Sequence, residues 1–126
     1  MNYIESKSVG TYIEFNTHEL LFLSESGQPY RGQLFIQYMN QGKVIDLISL
    51  KKYIEQLRQR TILLEDISSV ILQDINSVIE NNTVCVTVKT TARGGIDICP
   101  IRANKIELLD KYSISPEVLT NKTINQ

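Results

Sequence analysis

Val84-Cys85-Val86-Thr87-Val88-Lys89-Thr90-Thr91-Ala92-Arg93-Gly94-Gly95-Ile96-Asp97-Ile98-Cys99-Pro100 is the stretch from which the rest of the chain is read. Val84, Val86 and Val88 alternate with Cys85, Thr87 and Lys89, the two-residue period of a half-buried strand. Ile96 and Ile98 alternate in the same way with Asp97 and Cys99, up to Pro100, which has no N–H to give to a ladder. Two β-rich runs joined by a Gly-Gly turn predict a hairpin. Arg93 sits on the bend, next to a glycine backbone that an anion or ligand could approach closely.

Two helices are expected before this hairpin. The nearer runs from about Leu63 to Ile79, with Leu64, Ile67, Val70, Ile71, Ile75 and Val78 on one broad apolar face. Glu65 and Asp66 fall in its first turn, where acids complement the helix dipole, and Asn81-Asn82 stops it. The earlier helix is capped by Ser49 and carries Leu50, Tyr53, Ile54 and Leu57 at helical spacing. Lys51, Lys52, Glu55, Gln56 and Arg58 fall on its solvent face. Further upstream, Thr11 to Asn16 alternates as a strand, and Leu20 to Leu23 continues it after a bulge near Thr17-His18. Ser24 to Pro29 is rich in turn residues, Gln33 to Met39 alternates again, and Asn40-Gln41-Gly42 reads as a turn. Both ends, residues 1–8 and those near the C-terminus, are polar and expected to be loosely held around a core at about 9–103, with a short helix near Ile106, Leu108 and Leu109. The order is β-β-α-α-β-β. That is an α+β fold, a four-stranded antiparallel sheet with two helices on one face. Its two edges need covering, and pairing them around a ring of copies would abolish them.

At 126 residues, 42% hydrophobic and 21% charged, the chain is expected to be a single soluble domain spanning residues 1–126. A formal net charge of -1 gives no bulk attraction to nucleic acid or membrane. No apolar run is long enough to span a bilayer and no secretory signal pattern opens the chain, so the cytosol is the expected compartment. Cys85 and Cys99 have no Cys-x-x-Cys spacing and read as small buried thiols. His18 is the only histidine, and no metal site is expected.

Gly27-Gln28-Pro29 early and Ala92-Arg93-Gly94-Gly95 late, with this order of elements between them, resemble the 7-cyano-7-deazaguanine reductases of queuosine biosynthesis. These are nitrile reductases of the tunnelling fold, relatives of the GTP cyclohydrolases. Laid on Gly27-Gln28-Pro29, the family pattern runs without a gap to Arg93 and covers roughly residues 15–101. The resemblance implies a tunnelling-fold ring with a flat heterocycle held between subunits. It also places the family's reactive positions. The nucleophilic cysteine falls on Leu23, the proton-donating aspartate on Tyr30 and the histidine on Leu64. A leucine cannot attack a nitrile, so the family reaction is not expected; Cys99 is the remaining candidate thiol, activated if the Arg93 guanidinium stands near it.

What remains is a set of binding positions. Glu65 matches the glutamate that anchors the purine-like base, and a carboxylate pairs well with the adjacent N–H and amino groups of a guanine-like edge. Asp46 replaces a glutamate near the substrate. Lys51, Arg93 and Gly94 match the cofactor side. The cofactor motif of the family falls on Asp46-Leu47-Ile48-Ser49-Leu50-Lys51, where Ile48 replaces its central lysine; Glu5-Ser6-Lys7-Ser8 reproduces that motif, but ahead of the Gly-Gln-Pro turn. The expectation is therefore a homo-oligomeric module that binds a deazapurine, purine or pterin without a cofactor. NADPH would be needed only if reduction survived. The alternatives are an enzyme of 7-deazaguanine metabolism with a rearranged site, reducing a nitrile or converting it to an amidine, and a non-catalytic partner subunit of a catalytic paralogue.

Overall fold

The computed structural model describes residues 1–91 and 94–112. Its strands are β1 (Tyr3–Glu5), β2 (Tyr12–Leu23), β3 (Pro29–Met39), β4 (Lys43–Ile45), β5 (Cys85–Thr90) and β6 (Ile101–Ala103). Its helices are α1 (Leu47–Leu57), α2 (Ile67–Ile79), which a 3-10 turn over Leu64–Asp66 precedes, and α3 (Glu107–Lys111). β2, β3, β5 and β6 form one antiparallel sheet in that order, and β1 pairs with β4 apart from it. The expected α+β organisation stands.

Alternation decides what each strand buries. Leu34, Ile36 and Tyr38 of β3 lie beside Val86 and Val88 of β5 on the face covered by the helices. The stripe Leu50, Tyr53, Ile54 and Leu57 of α1 and the face Ile67, Ile71 and Ile75 of α2 close over them. The register of β2 shifts between Thr17 and Leu20, at the expected bulge. That shift keeps Ile13 and Phe15 on the helix side and then returns Leu20 and Phe22 to the same core. On the opposite face Cys85, Leu108 and Tyr112 make a smaller apolar cluster.

The structure corrects three expectations. Residues 96–99 are not a strand; the last strand begins after Pro100, and its ladder starts at Thr87↔Ile101. The chain turns through Gly94 and Gly95, whose φ of 59° and 77° are values glycine takes without strain. It returns at the carbonyl of Pro100, which accepts from the Val88 N–H at 3.1 Å and the Ser68 hydroxyl at 2.7 Å. Second, Asp46, not Ser49, caps α1: its carboxylate accepts from the Ser49 N–H at 3.1 Å.

Third, the N-terminal segment is tied down. β1 pairs with β4 through Tyr3↔Ile45, Ile4↔Val44 and Glu5↔Lys43. Asn40, 2% exposed, donates to the Ser6 hydroxyl and the Ser8 carbonyl and accepts from the Gly42 N–H. Glu5-Ser6-Lys7-Ser8 is thus stapled to the turn between β3 and β4. Asn40→Ala is expected to cost about 2 kcal/mol through the polar groups it strands. Hydrogen exchange should show the β1 amides opening well before those of β3. Unchanged exchange in β1 would show that its ladder alone holds the arm.

Candidate functional site

One end of the sheet carries an open cleft of about 460 Å³. Its first wall is the turn between β2 and β3, contributing Ser24, Glu25, Ser26 and Gln28, with Tyr30 at the start of β3. Its second wall is the segment entering α2, Ile62 to Glu65. Each wall has a local cause. The Ser24 N–H donates to the Gln28 carbonyl at 2.8 Å and the Gly27 N–H to the Ser24 carbonyl at 2.9 Å, closing the turn. Across the cleft Leu64 turns inward to the core while Glu65 stays exposed at the head of the helix.

Leu23 joins the two walls through its backbone. Its N–H donates to the Arg60 carbonyl and its own carbonyl accepts from the Ile62 N–H, both at 3.0 Å, giving a parallel bridge to Thr61. Its side chain is half-buried. Tyr30 stands opposite Phe22 in register, the two rings 5.3 Å apart and tilted by 31°. An aromatic edge, paired serine hydroxyls (Ser24 and Ser26 Oγ, 2.9 Å), an amide and two carboxylates therefore converge on one opening. This set of groups can accept N–H donors and stack against a flat ring.

The expected site residues divide between the two ends of the sheet. Glu65, Tyr30 and Leu64 all line the cleft. The turn bearing Gly94 belongs to the same end, since the Thr91 N–H donates to the Arg31 carbonyl at 3.1 Å. Arg93 lies outside the described residues. Asp46 is at the far end, beside Ile45, whose N–H donates to the Tyr38 hydroxyl at 3.0 Å. Tyr30 and Tyr38 are the two ends of a run about 26 Å long at ordinary strand rise. Lys51 is exposed on α1 one turn beyond Asp46. Asp46 and Glu65 of one chain therefore do not meet.

Both thiols lie away from the cleft of their own chain. Burial pushes the Cys99 thiol up, partly offset by Lys89. Burial pushes Cys85 up to about 11. Among the described residues no cluster of His, Cys, Asp or Glu could hold a metal, and no helix is long and apolar enough to cross a membrane.

Ser24, Glu25, Ser26, Ile62 and Leu63 line the cleft without having been singled out from the sequence. Ser24 to Ser26 reads there only as part of a turn; that it faces the α2 entry is a long-range fact. A second hollow of about 340 Å³, lined by Tyr12, Met39, Lys111 and Tyr112, opens beside α3. Tyr12 there donates to Glu14 and accepts from Gln37, and burial pushes its phenol up to about 12.

Comparison with known proteins gives one consistent answer. Residues 29–107 match the model of a family described as QueF-like protein. The NADPH-dependent 7-cyano-7-deazaguanine reductase of Bacillus cytotoxicus is 32% identical over 120 residues, covering 90% of this chain and 73% of the relative. The Bacillus subtilis protein of the same name is 28% identical over the same shares, and that of Rhodopirellula baltica 33% identical over 73 residues, 58% of this chain and 60% of the relative. A crystal structure of the archaeosine synthase QueF-Like in the apo form superposes with a TM-score of 0.69 at 20% identity, over 75% of this chain and 95% of that one. At that identity the match speaks for the fold.

Proposed function

This chain belongs to the QueF-like family, and from that premise we propose that it binds a flat, guanine-like heterocycle in the cleft headed by Glu65. The observation that carries the reading is that Glu65, Tyr30 and Gln28 line one cleft. Glu65 accepts the paired N–H groups of the ring edge in a charge-assisted bidentate contact. Tyr30 and Leu63 offer apolar area to the ring faces.

The ligand is shared between copies. Among the described residues, β2 leaves its outer edge without a partner until Leu23, and the expected binding positions Asp46 and Glu65 sit toward opposite ends of the sheet. A neighbouring copy paired along that edge would satisfy the unpaired backbone groups and bring a second set of side chains toward the cleft.

Nitrile reduction by the mechanism that the resemblance implies is not part of the reading. Leu23 has no reactive atom where that mechanism needs a thiolate. The relatives are named as NADPH-dependent, but the residues here do not fit a dinucleotide phosphate at the start of α1. The Asp46 carboxylate already takes the Ser49 N–H, the Asn2 N–H donates to the Ser49 hydroxyl at 2.8 Å, and Leu47 and Ile48 stand 66% and 70% exposed in the first turn. An anion brought to that first turn meets a carboxylate and two aliphatic side chains, with Lys51 standing a turn further along α1.

Titration calorimetry with 7-cyano-7-deazaguanine tests the proposal. Wild type is expected to bind, and Glu65→Gln to bind about 10- to 100-fold more weakly, the scale of a lost charge-assisted contact. Equal affinity for the two proteins, or no binding by wild type, would remove the anchor role. Loss of nicotinamide absorbance with the nitrile and NADPH would overturn the non-reductive reading.

A further inference from the structure

Both cleft walls depend on a contact made outside the cleft. Asp74, in the middle of α2, accepts on its Oδ2 from the Tyr53 hydroxyl at 2.6 Å and from Arg60 Nη1 at 3.2 Å. Tyr53 is a buried member of the α1 stripe. Arg60 belongs to the link between α1 and the 3-10 turn. One carboxylate oxygen therefore ties together α1, α2 and the chain between them.

Arg60 is also the residue whose carbonyl receives the Leu23 N–H, and two residues later the Ile62 N–H returns to the Leu23 carbonyl. Leu23 is followed at once by Ser24, the start of the first wall, and Ile62 starts the second. The spacing between the walls is thus set by one short crossing of β2 and the link. The link leaves buried Leu57, where the Arg60 N–H donates to the Leu57 carbonyl at 3.0 Å, and re-enters the core at Ile62; between those points the two crossing hydrogen bonds to Leu23 and the Arg60 side chain hold it against its neighbours. Removing the Asp74 carboxylate frees the side-chain tether while leaving the apolar core of α2, Ile67, Ile71 and Ile75, intact.

We infer that Asp74 is a positioning residue for the cleft: through Arg60 and Tyr53 it fixes the link against α2 and so sets where Ile62 to Glu65 stand relative to Ser24 to Gln28. As far as it concerns a ligand, this rests on the heterocycle reading above. The tether itself does not, and it is read separately.

Hydrogen exchange and calorimetry on the full chain test it together. In Asp74→Ala the Leu23 and Ile62 amides should exchange about tenfold faster, because a hydrogen bond to a charged group is lost. In Arg60→Gln they should exchange about threefold faster, as befits a half-exposed ion pair, and Arg60→Lys should recover most of the difference. Amides in the centres of β3 and β5 should keep their wild-type rates. Affinity for 7-cyano-7-deazaguanine should fall in the same order and recover in Arg60→Lys. Wild-type exchange at Leu23 and Ile62 in Asp74→Ala would overturn the inference. So would equal acceleration throughout the sheet, which would mark plain destabilisation, or faster local exchange with unchanged affinity. If wild type itself does not bind the heterocycle, the proposed function fails, and the exchange pattern alone then decides whether the tether orders the walls.

Discussion

Phe22→Ala is expected to destabilise the protein by about 4 kcal/mol, within the range for emptying a fully buried phenylalanine site. For a chain of this size that corresponds to a melting temperature lower by roughly 15 °C. Phe22 is fully buried, at the point where β2 leaves the core for the cleft turn. It packs among the helix-side residues, and the Tyr30 ring leans against it at 5.3 Å. Truncation therefore removes a core volume and the support beneath the aromatic wall of the cleft at once. The surrounding side chains come from β2, β3 and the helices, so no single element can shift to refill the space. Thermal and urea melts check the size of the effect, and an unchanged urea m-value would confirm that the loss lies in the native state. A fall of only a few degrees would mean that the site collapses around the missing ring.

The second large effect is expected at Gly32, where the reason is steric. A Cβ placed on Gly32 would lie 2.1 Å from the Lys89 carbonyl oxygen and 2.8 Å from the Thr90 Cα. Both are backbone atoms of the neighbouring strand, so no rotamer change relieves the clash. Gly32 pairs with Thr90 on one side and with Leu20, just past the bulge, on the other. Gly32→Ala should cost about 3 kcal/mol and open the β3–β5 ladder from this end. Exchange should rise first at Thr91, whose N–H is held by the Arg31 carbonyl, and then at Thr90. A variant with wild-type stability would mean that β5 can move aside at no cost, and that the close approach is not structural.

Gly32 also illustrates how far the sequence could be read. In the chain it is a single glycine at the edge of an alternating run, with nothing to separate a tight backbone approach from a tolerated residue. Val84, Val86 and Val88 declare a strand because their period is local, and the α1 and α2 stripes declare helices for the same reason. The bulge near Thr17-His18 is legible because the alternation breaks and resumes. Ile96 and Ile98 alternate equally well and yet form no strand. Their fate depends on which carbonyl, that of Pro100, meets Val88 and Ser68, and this is settled by where α2 lies.

The candidate site divides along the same line. Glu65 stands out as an acid at the head of an apolar helix, and Tyr30 through its place after Gly-Gln-Pro. That these two share a cleft, while Asp46 is spent as a helix cap some 26 Å of strand away, is not a property of any window of the sequence. The polar N-terminus misleads for a related reason: its order comes from Asn40, which is more than thirty positions distant from the Ser6 and Ser8 groups it binds.

By itself the sequence determined the order and type of the main elements, the face each buries and the family, because apolar period and motif spacing are carried by neighbouring residues. Only the tertiary structure decided where the last strand begins, which acid caps α1, that Leu23 joins the walls of a cleft, and that Asp74 tethers one of them. Each of those outcomes is a hydrogen bond or close approach between distant segments, and its partner exists only once the sheet has paired and the helices have packed on it.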